Sequence, residues 1–168
     1  MSMKRAAASL LALLAVASAP GVPTIFAGGA WVALDRGTAC EALSRSQRIA
    51  AKGKVQAVAG FTFTPDHRRW GEFHVRLSRM PRPGSAVMLT IGDQPFLLLA
   101  RGDWAWSRGP LQEQAIIAAA RDASTMIRVE ARDGAGRRFV DSYLPDGVPT
   151  AIDAAAARCA SRGAGKIQ

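Results

Sequence analysis

Two histidines are the side chains of this sequence best suited to acid–base chemistry. A serine hydrolase needs a nucleophile, a base and a group that orients the base, which draws attention to the neighbours Asp66 and His67. Adjacent residues generally point in different directions, however, and no serine stands in a G-x-S-x-G turn. We therefore predict no catalytic residue and interpret Asp66 to Arg69 as a solvated hairpin tip. His74 is predicted to be an exposed strand residue, and a small hydrolase that uses His67 or His74 is the alternative.

Trp104 and Trp106 are the best candidates for a recognition surface. Their spacing of two places both indoles on one face of a strand, with Arg101 and Arg108 on either side. Aromatic rings beside cationic groups can stack on sugars or bases. These four residues are the predicted binding candidates. The alternative is that both indoles pack under the following helix as core residues.

The chain has only two cysteines, Cys40 and Cys159. An even number of cysteines in an exported protein usually indicates a disulfide, so we predict that these two are paired. A buried free thiol, a catalytic cysteine and half of a metal site are the alternatives. A thiol-dependent enzyme would require that the thiols are free. Neither cysteine has another cysteine or a histidine at ligand spacing, and we predict no metal site. No phosphate-binding glycine motif occurs, and no cofactor is predicted.

The first residues have the pattern of a secretory leader. Lys4 and Arg5 precede an apolar run from Ala6 to Ala19, which is shorter than the roughly 20 residues that span a bilayer as a helix. Cleavage after Ala19 would leave Pro20 at the next position, so we predict a signal peptide over residues 1–27. An uncleaved anchor is the alternative. The processed chain is predicted to be periplasmic or secreted and to have no transmembrane segment.

Net charge gives a weaker indication of partners. The full chain carries a formal charge of +9, and removal of residues 1–27 takes away two of its 22 basic residues and no acidic one. A basic protein can attract anionic polysaccharide, lipid headgroups or nucleic acid. Here the arginines are spread as singles and doublets among acidic residues, which favours a role in solubility and predicts no specific nucleic-acid partner.

Period-two alternation of apolar residues dominates the body of the chain. It predicts half-buried strands at Phe73–Leu77, Val87–Ile91 and Ile127–Ala131, with shorter strands at Trp31–Leu34, around Cys40 and at Gly60–Thr64. The apolar run Phe96–Ala100 predicts a central strand that is covered on both faces. Hairpin turns are predicted at Gly92-Asp93, at Arg101-Gly102-Asp103 and at Asp133-Gly134.

Two helices are predicted within this β-rich chain. The first begins near Ser107 to Pro110 and ends near Arg121, with proline at the first helical turn. The second begins near Asp146 to Pro149 and carries Cys159 on its apolar face. The fold class is thus mainly β, with β-sandwich-like antiparallel sheets, two helices of which one is C-terminal, and a single disulfide. Residues 28–160 are predicted to form one domain, and residues 161–168 a flexible tail.

Short segments at both ends of this domain resemble the invasion-associated locus B family. Trp31-Val32-Ala33 precedes Cys40, and the closing segment Ser142 to Asp153 runs from a polar strand through Gly147 into Ala151-Ile152-Asp153. The resemblance spans most of residues 31–159. It differs from many relatives, which carry a further central cysteine pair that this chain lacks.

This resemblance implies a periplasmic or envelope-associated β-sandwich and transfers no active site. Together with the residues above, it predicts a non-enzymatic module of the envelope that binds a partner protein or an anionic glycan through its basic, tryptophan-bearing face. A small periplasmic hydrolase or thiol-dependent enzyme is the alternative. The oligomeric state is not predicted.

Overall fold

The computed structural model describes residues 21–164, and most of the predicted leader and the last four residues lie outside this range. Ten antiparallel strands and two helices make up the described chain. In sequence order they are β1 Thr24–Gly28, β2 Trp31–Asp35, β3 Cys40–Arg45, β4 Val58–Phe63, β5 Trp70–Arg76, β6 Val87–Ile91, β7 Gln94–Arg101, β8 Trp104–Trp106, α1 Pro110–Arg121, β9 Ile127–Arg132, β10 Arg138–Tyr143 and α2 Val148–Ala164.

All strands belong to one sheet with the order β1-β2-β3-β4-β5-β8-β7-β6-β9-β10. Strand β7 joins its two halves, because its first part pairs with β6 and its last part with β8. The sheet folds over, so that the end of β10 approaches β2 and β3. There the Gln47 backbone N–H donates to Ser142 O at 2.8 Å and the Trp31 indole N–H donates to Leu144 O at 2.8 Å. The predicted β-sandwich-like antiparallel architecture with two helices is confirmed.

The core lies between the sheet and the two helices. The inward residues of β5, β6 and β9 are buried as their alternation predicts. α2 lies against β1, β2, β3 and β4, while α1 packs chiefly on β5. Fully buried aromatic side chains fill the space between them, namely Trp31, Phe61, Phe63, Phe73 and Tyr143. The hairpins predicted between β6 and β7, β7 and β8, and β9 and β10 are all present.

A covalent bond ties the last helix to an early strand. Cys40 and Cys159 form a disulfide with their Cα atoms 5.8 Å apart, at a sequence separation of 119. This confirms the predicted pairing, and neither cysteine is available as a thiol or a metal ligand. Asp35, which lies opposite Cys40 in the β2–β3 pair, accepts hydrogen bonds from Arg158 at 2.8 Å and from Arg162.

The predicted flexible tail is wrong over residues 161–164, because α2 continues to Ala164. Its last turn is held by contacts that sequence periodicity does not show. Arg162 pairs with the buried Asp35, and the Ser161 hydroxyl donates to Arg158 O at 2.8 Å. Only residues 165–168 of that tail lie outside the described part of the chain.

Strand β1 occupies residues that the sequence assigned to the end of the leader. Thr24–Gly28 pairs antiparallel with β2, and Ile25 and Phe26 are half-buried against the core. The following turn meets the start of α2 so closely that a Cβ on Gly147 would lie 2.2 Å from Gly28 O. Cleavage after Ala27 would therefore remove most of an ordered strand. The leader itself stays a prediction.

Between residues 21 and 164, neither helix combines the length and the apolar composition that a membrane crossing requires.

Candidate functional site

Strand β8 turns both of its tryptophans to the outer face of the sheet. Ala105 between them is fully buried, whereas Trp104 is 36% exposed and Trp106 is half-buried. The two indole rings are nearly parallel, at 14°, with their centroids 6.3 Å apart. This separation fits residues two apart on one face of a strand. The alternative that both indoles pack under α1 as core residues is wrong.

The neighbouring strand β7 adds an apolar edge and a cation to this face. Leu99 lies opposite Trp106, and Arg101 lies opposite Trp104. Leu99 is 52% exposed and Leu97, on the same face, is 37% exposed. Only Leu98 of the run is fully buried, so the prediction of a strand covered on both faces is wrong. Both helices pack on the inner side of the sheet, and residues 80–86 border Leu97 to Ala100 along a groove without burying Leu97 or Leu99.

The start of α1 fixes the position of Arg108. The Ser107 hydroxyl accepts from Phe73 N at 3.2 Å and donates to Glu113 at 3.1 Å, which joins the end of β8 to β5 and to α1. Burial raises the pKa of the Glu113 carboxyl. Gln112 accepts from Arg108 N at 2.7 Å and donates to Leu97 O at 3.1 Å.

These contacts place Arg108 beside Leu97 and Leu99, and all three line an open groove of about 540 Å³. Arg101 and Arg108 are exposed, and neither forms an ion pair within residues 21–164. The structure thus assembles all four predicted binding candidates on one surface. We call it the indole face and define it by Leu97, Leu99, Arg101, Trp104, Trp106 and Arg108.

His74 lies beneath the indole face and is not the exposed residue that strand alternation predicts. It pairs across strands with Trp106, its ring centroid is 6.1 Å from that of Trp104, and it is only 6% exposed. Its Nδ1 lies 3.2 Å from the Thr62 hydroxyl. Gly60 leaves room for the ring, because a Cβ there would lie 3.0 Å from His74 Nε2. Burial lowers the pKa of His74, which keeps the imidazole neutral near pH 7.

His67 lies at the tip of the β4–β5 hairpin, as predicted for a solvated turn. Its φ is 58°, and its ring stacks on Trp70 with centroids 3.9 Å apart. Asp66 does not orient the imidazole, because its carboxylate accepts from the Thr64 hydroxyl at 2.6 Å and from Arg68 N at 3.2 Å. Within residues 21–164, neither His67 nor His74 hydrogen-bonds to a serine or a cysteine.

Sequence reasoning found the tryptophans and arginines of this surface but missed Leu97, Leu99 and His74. A signal was present for the leucines, since Leu97, Leu99 and Arg101 share the same period of two as Trp104 and Trp106. No comparable signal identified the burial of His74, which depends on large side chains from a different strand.

Searches of protein-family models, of curated proteins and of solved structures returned no match to this chain, so they give the invasion-associated locus B resemblance no support.

Proposed function

We propose that this protein is a non-enzymatic binding module of the cell envelope that binds an anionic glycan through the indole face. The observation that carries this proposal is the pair of parallel, outward indoles flanked by two arginines without ion-pair partners in the described chain. Exposed apolar surface with a polar or charged rim is typical of interaction sites, because such surface is costly to leave in water.

The shape of the indole face favours a flat, extended ligand over a compact one. Two rings in nearly one orientation, 6.3 Å apart along β8, form a shallow platform and not an enclosed pocket. Sugar rings have flat apolar faces that can stack on such a platform, as bases stack on aromatic side chains in single-strand binding proteins. Consecutive sugars of one chain can therefore occupy Trp104 and Trp106 together.

Charge favours an acidic sugar chain over a neutral one. Arg101 and Arg108 stand at opposite ends of the platform, while Arg76 at its border is already paired with Asp103 at 3.0 Å. No carboxylate belongs to the indole face. A guanidinium can bind a carboxylate or sulfate in a bidentate manner, which gives both affinity and orientation.

The placement in the envelope rests on the leader pattern of the first residues and on the Cys40–Cys159 disulfide, which suits an oxidising compartment. The same disulfide speaks against a thiol-dependent enzyme, and the separate environments of His67 and His74 speak against a hydrolase. The invasion-associated locus B type is part of this proposal on the strength of the short motifs alone.

Isothermal titration of the purified protein with oligogalacturonate, a polymer of acidic sugars, tests the proposal. Trp104→Ala and Trp106→Ala should each weaken binding by about tenfold, since one stacking contact is worth roughly 1–3 kcal/mol. Arg101→Gln should weaken binding and reduce its dependence on salt. Arg128→Gln, which removes an exposed arginine from β9, is the matched control and should leave affinity unchanged.

Far-UV circular dichroism of each variant separates lost binding from lost folding. Equal binding by wild type and by the Trp104→Ala/Trp106→Ala double variant, with both folded, would overturn the assignment of the ligand to the indole face. If a neutral oligosaccharide of similar length bound with the same affinity as oligogalacturonate, the requirement for an anionic ligand would be overturned.

A further inference from the structure

A second surface of the molecule collects basic side chains around a cavity. The loop between β3 and β4 packs against Ser78 and Arg79, which follow β5, and borders an open cavity of about 480 Å³. Arg48, Lys54 and Arg79 line this cavity together with the apolar side chains of Ile49 and Val55. No aspartate or glutamate is among its lining residues. We call it the basic cavity.

The charge of this region is apparent only after folding. Residues 42–65 contain no acidic residue but carry Arg45, Arg48, Lys52 and Lys54, and residues 73–92 contain no acidic residue but carry Arg76, Arg79 and Arg82. In sequence these bases are scattered and do not form a polybasic tract. The fold brings the two acid-free segments together at the basic cavity, which raises the local positive potential.

The nearest carboxylates leave much of this charge uncompensated. Asp133 accepts from Arg79 at 3.3 Å and also pairs with Arg137 at 3.2 Å. Asp141 accepts the backbone N–H of Ser78 at 2.9 Å. Arg48 and Lys54 form no ion pair within the described part of the chain.

The loop that forms the basic cavity is held in one conformation by a glutamine. Gln56 accepts from Ala50 N at 2.9 Å and donates to the Ser46 hydroxyl at 2.9 Å. Ser46 is 1% exposed, and the backbone N–H of Gln47 is bonded to Ser142 O. The loop therefore presents Arg48 and Lys54 from a preorganised backbone, which lowers the entropic cost of binding an anion.

One exposed aliphatic side chain stands at this site. Ile49, which lines the cavity, is 62% exposed. A free inorganic anion would make no favourable contact with this apolar side chain. At a bilayer surface, a protruding apolar side chain can enter the boundary between headgroups and acyl chains while basic residues bind the lipid phosphates.

We propose that the basic cavity binds the phosphate of an anionic lipid headgroup and so holds the protein at a membrane surface. Arg48 and Lys54, which have no ion-pair partner in the described chain, contact the phosphate, and Ile49 inserts beside the headgroup. Arg79 stays paired with Asp133 and adds positive charge at the edge of the site. Each basic residue near such a surface contributes about 1 kcal/mol, so two of them account for a change in partitioning of at least tenfold.

Co-sedimentation with vesicles tests this proposal directly. The protein should bind vesicles of phosphatidylglycerol and phosphatidylcholine but not vesicles of phosphatidylcholine alone, and binding should weaken as salt rises. Arg48→Gln/Lys54→Gln should lower the partition coefficient at least tenfold. Arg68→Gln/Arg128→Gln removes the same charge from exposed positions elsewhere and should change partitioning less than twofold.

Two further measurements make the outcome decisive. Ile49→Ser should weaken vesicle binding while leaving the affinity for inorganic phosphate, measured by titration calorimetry, unchanged. Phosphate binding without vesicle binding would overturn the lipid assignment, and equal losses in the two double variants would overturn the site. Trp104→Ala/Trp106→Ala should retain vesicle binding, so failure here and failure at the indole face can be told apart.

Discussion

Removal of the Cys40–Cys159 bond should cost this protein a large part of its stability. The disulfide closes a loop with a sequence separation of 119, and the chain-entropy relation for a loop of this length gives about 5 kcal/mol at 25 °C. Single domains typically have an unfolding free energy of roughly 5–15 kcal/mol, so this one bond accounts for a large fraction of the total.

The folded structure should nevertheless survive the change. Asp35 still binds Arg158 and Arg162, and Ala151, Ile152 and Ala155 still bury the apolar face of α2 against the sheet. The disulfide thus acts mainly on the unfolded chain, whose freedom it restricts. We expect Cys40→Ala/Cys159→Ala to keep the far-UV circular dichroism spectrum of the wild type.

Urea denaturation followed by tryptophan fluorescence measures the predicted loss. The double variant should unfold with a free energy lower by about 3–5 kcal/mol, the lower bound allowing for structure retained in the unfolded state. Reduced wild type, prepared with a phosphine reductant, should match the variant. A loss below about 1 kcal/mol would refute the reasoning, since the disulfide between β3 and α2 would then contribute little to the free energy of unfolding.

Two further results are expected. Ile25 and Phe26 pack against the core, and the Asp35 backbone N–H donates to Pro23 O at 2.9 Å. If the predicted leader is removed, N-terminal sequencing should therefore place the first residue of the product at or before Pro23, and a product that begins at Gly28 would contradict this. Deletion of residues 1–27 should lower the unfolding free energy by about 2–4 kcal/mol. Because burial lowers the pKa of His74 below its ordinary 6.5, the unfolded chain takes up a proton first as pH falls, so stability should decline from about pH 6.5 toward the lowered pKa. Urea titrations from pH 7.5 to 5 should show a shallower decline in His74→Gln than in wild type, and identical slopes would refute the role of His74.

Alternation in the sequence was sufficient to predict most strands that have one buried face. Val87, Leu89 and Ile91 and their counterparts in β9 are buried as expected, since a period of two assigns them to a single face. The prediction that β7 is covered on both faces was wrong, because a continuous apolar run does not show whether other elements pack on both faces of the strand. Its outer face is open, and that exposure is what makes Leu97 and Leu99 part of the candidate site.

Long-range contacts account for the other differences. The last turn of α2 depends on Asp35, more than a hundred residues earlier, so its polar sequence suggested a tail. Most of β1 was assigned to the leader because Pro20 disfavours cleavage after Ala19, and only pairing with β2 identifies these residues as a strand. The tryptophan pair could be found from spacing, but its orientation is fixed by the buried Ala105 and by the side of the sheet that the helices occupy.

The indole N–H signals of the four tryptophans test the central claim most directly. In a two-dimensional NMR titration of the ¹⁵N-labelled protein with oligogalacturonate, the signals of Trp104 and Trp106 should shift together and saturate. The signal of Trp31, which is 1% exposed and bonded to Leu144 O, should stay in place. Shifts confined to Trp70, or no shift of any indole at saturating ligand, would contradict the assignment of glycan binding to the indole face.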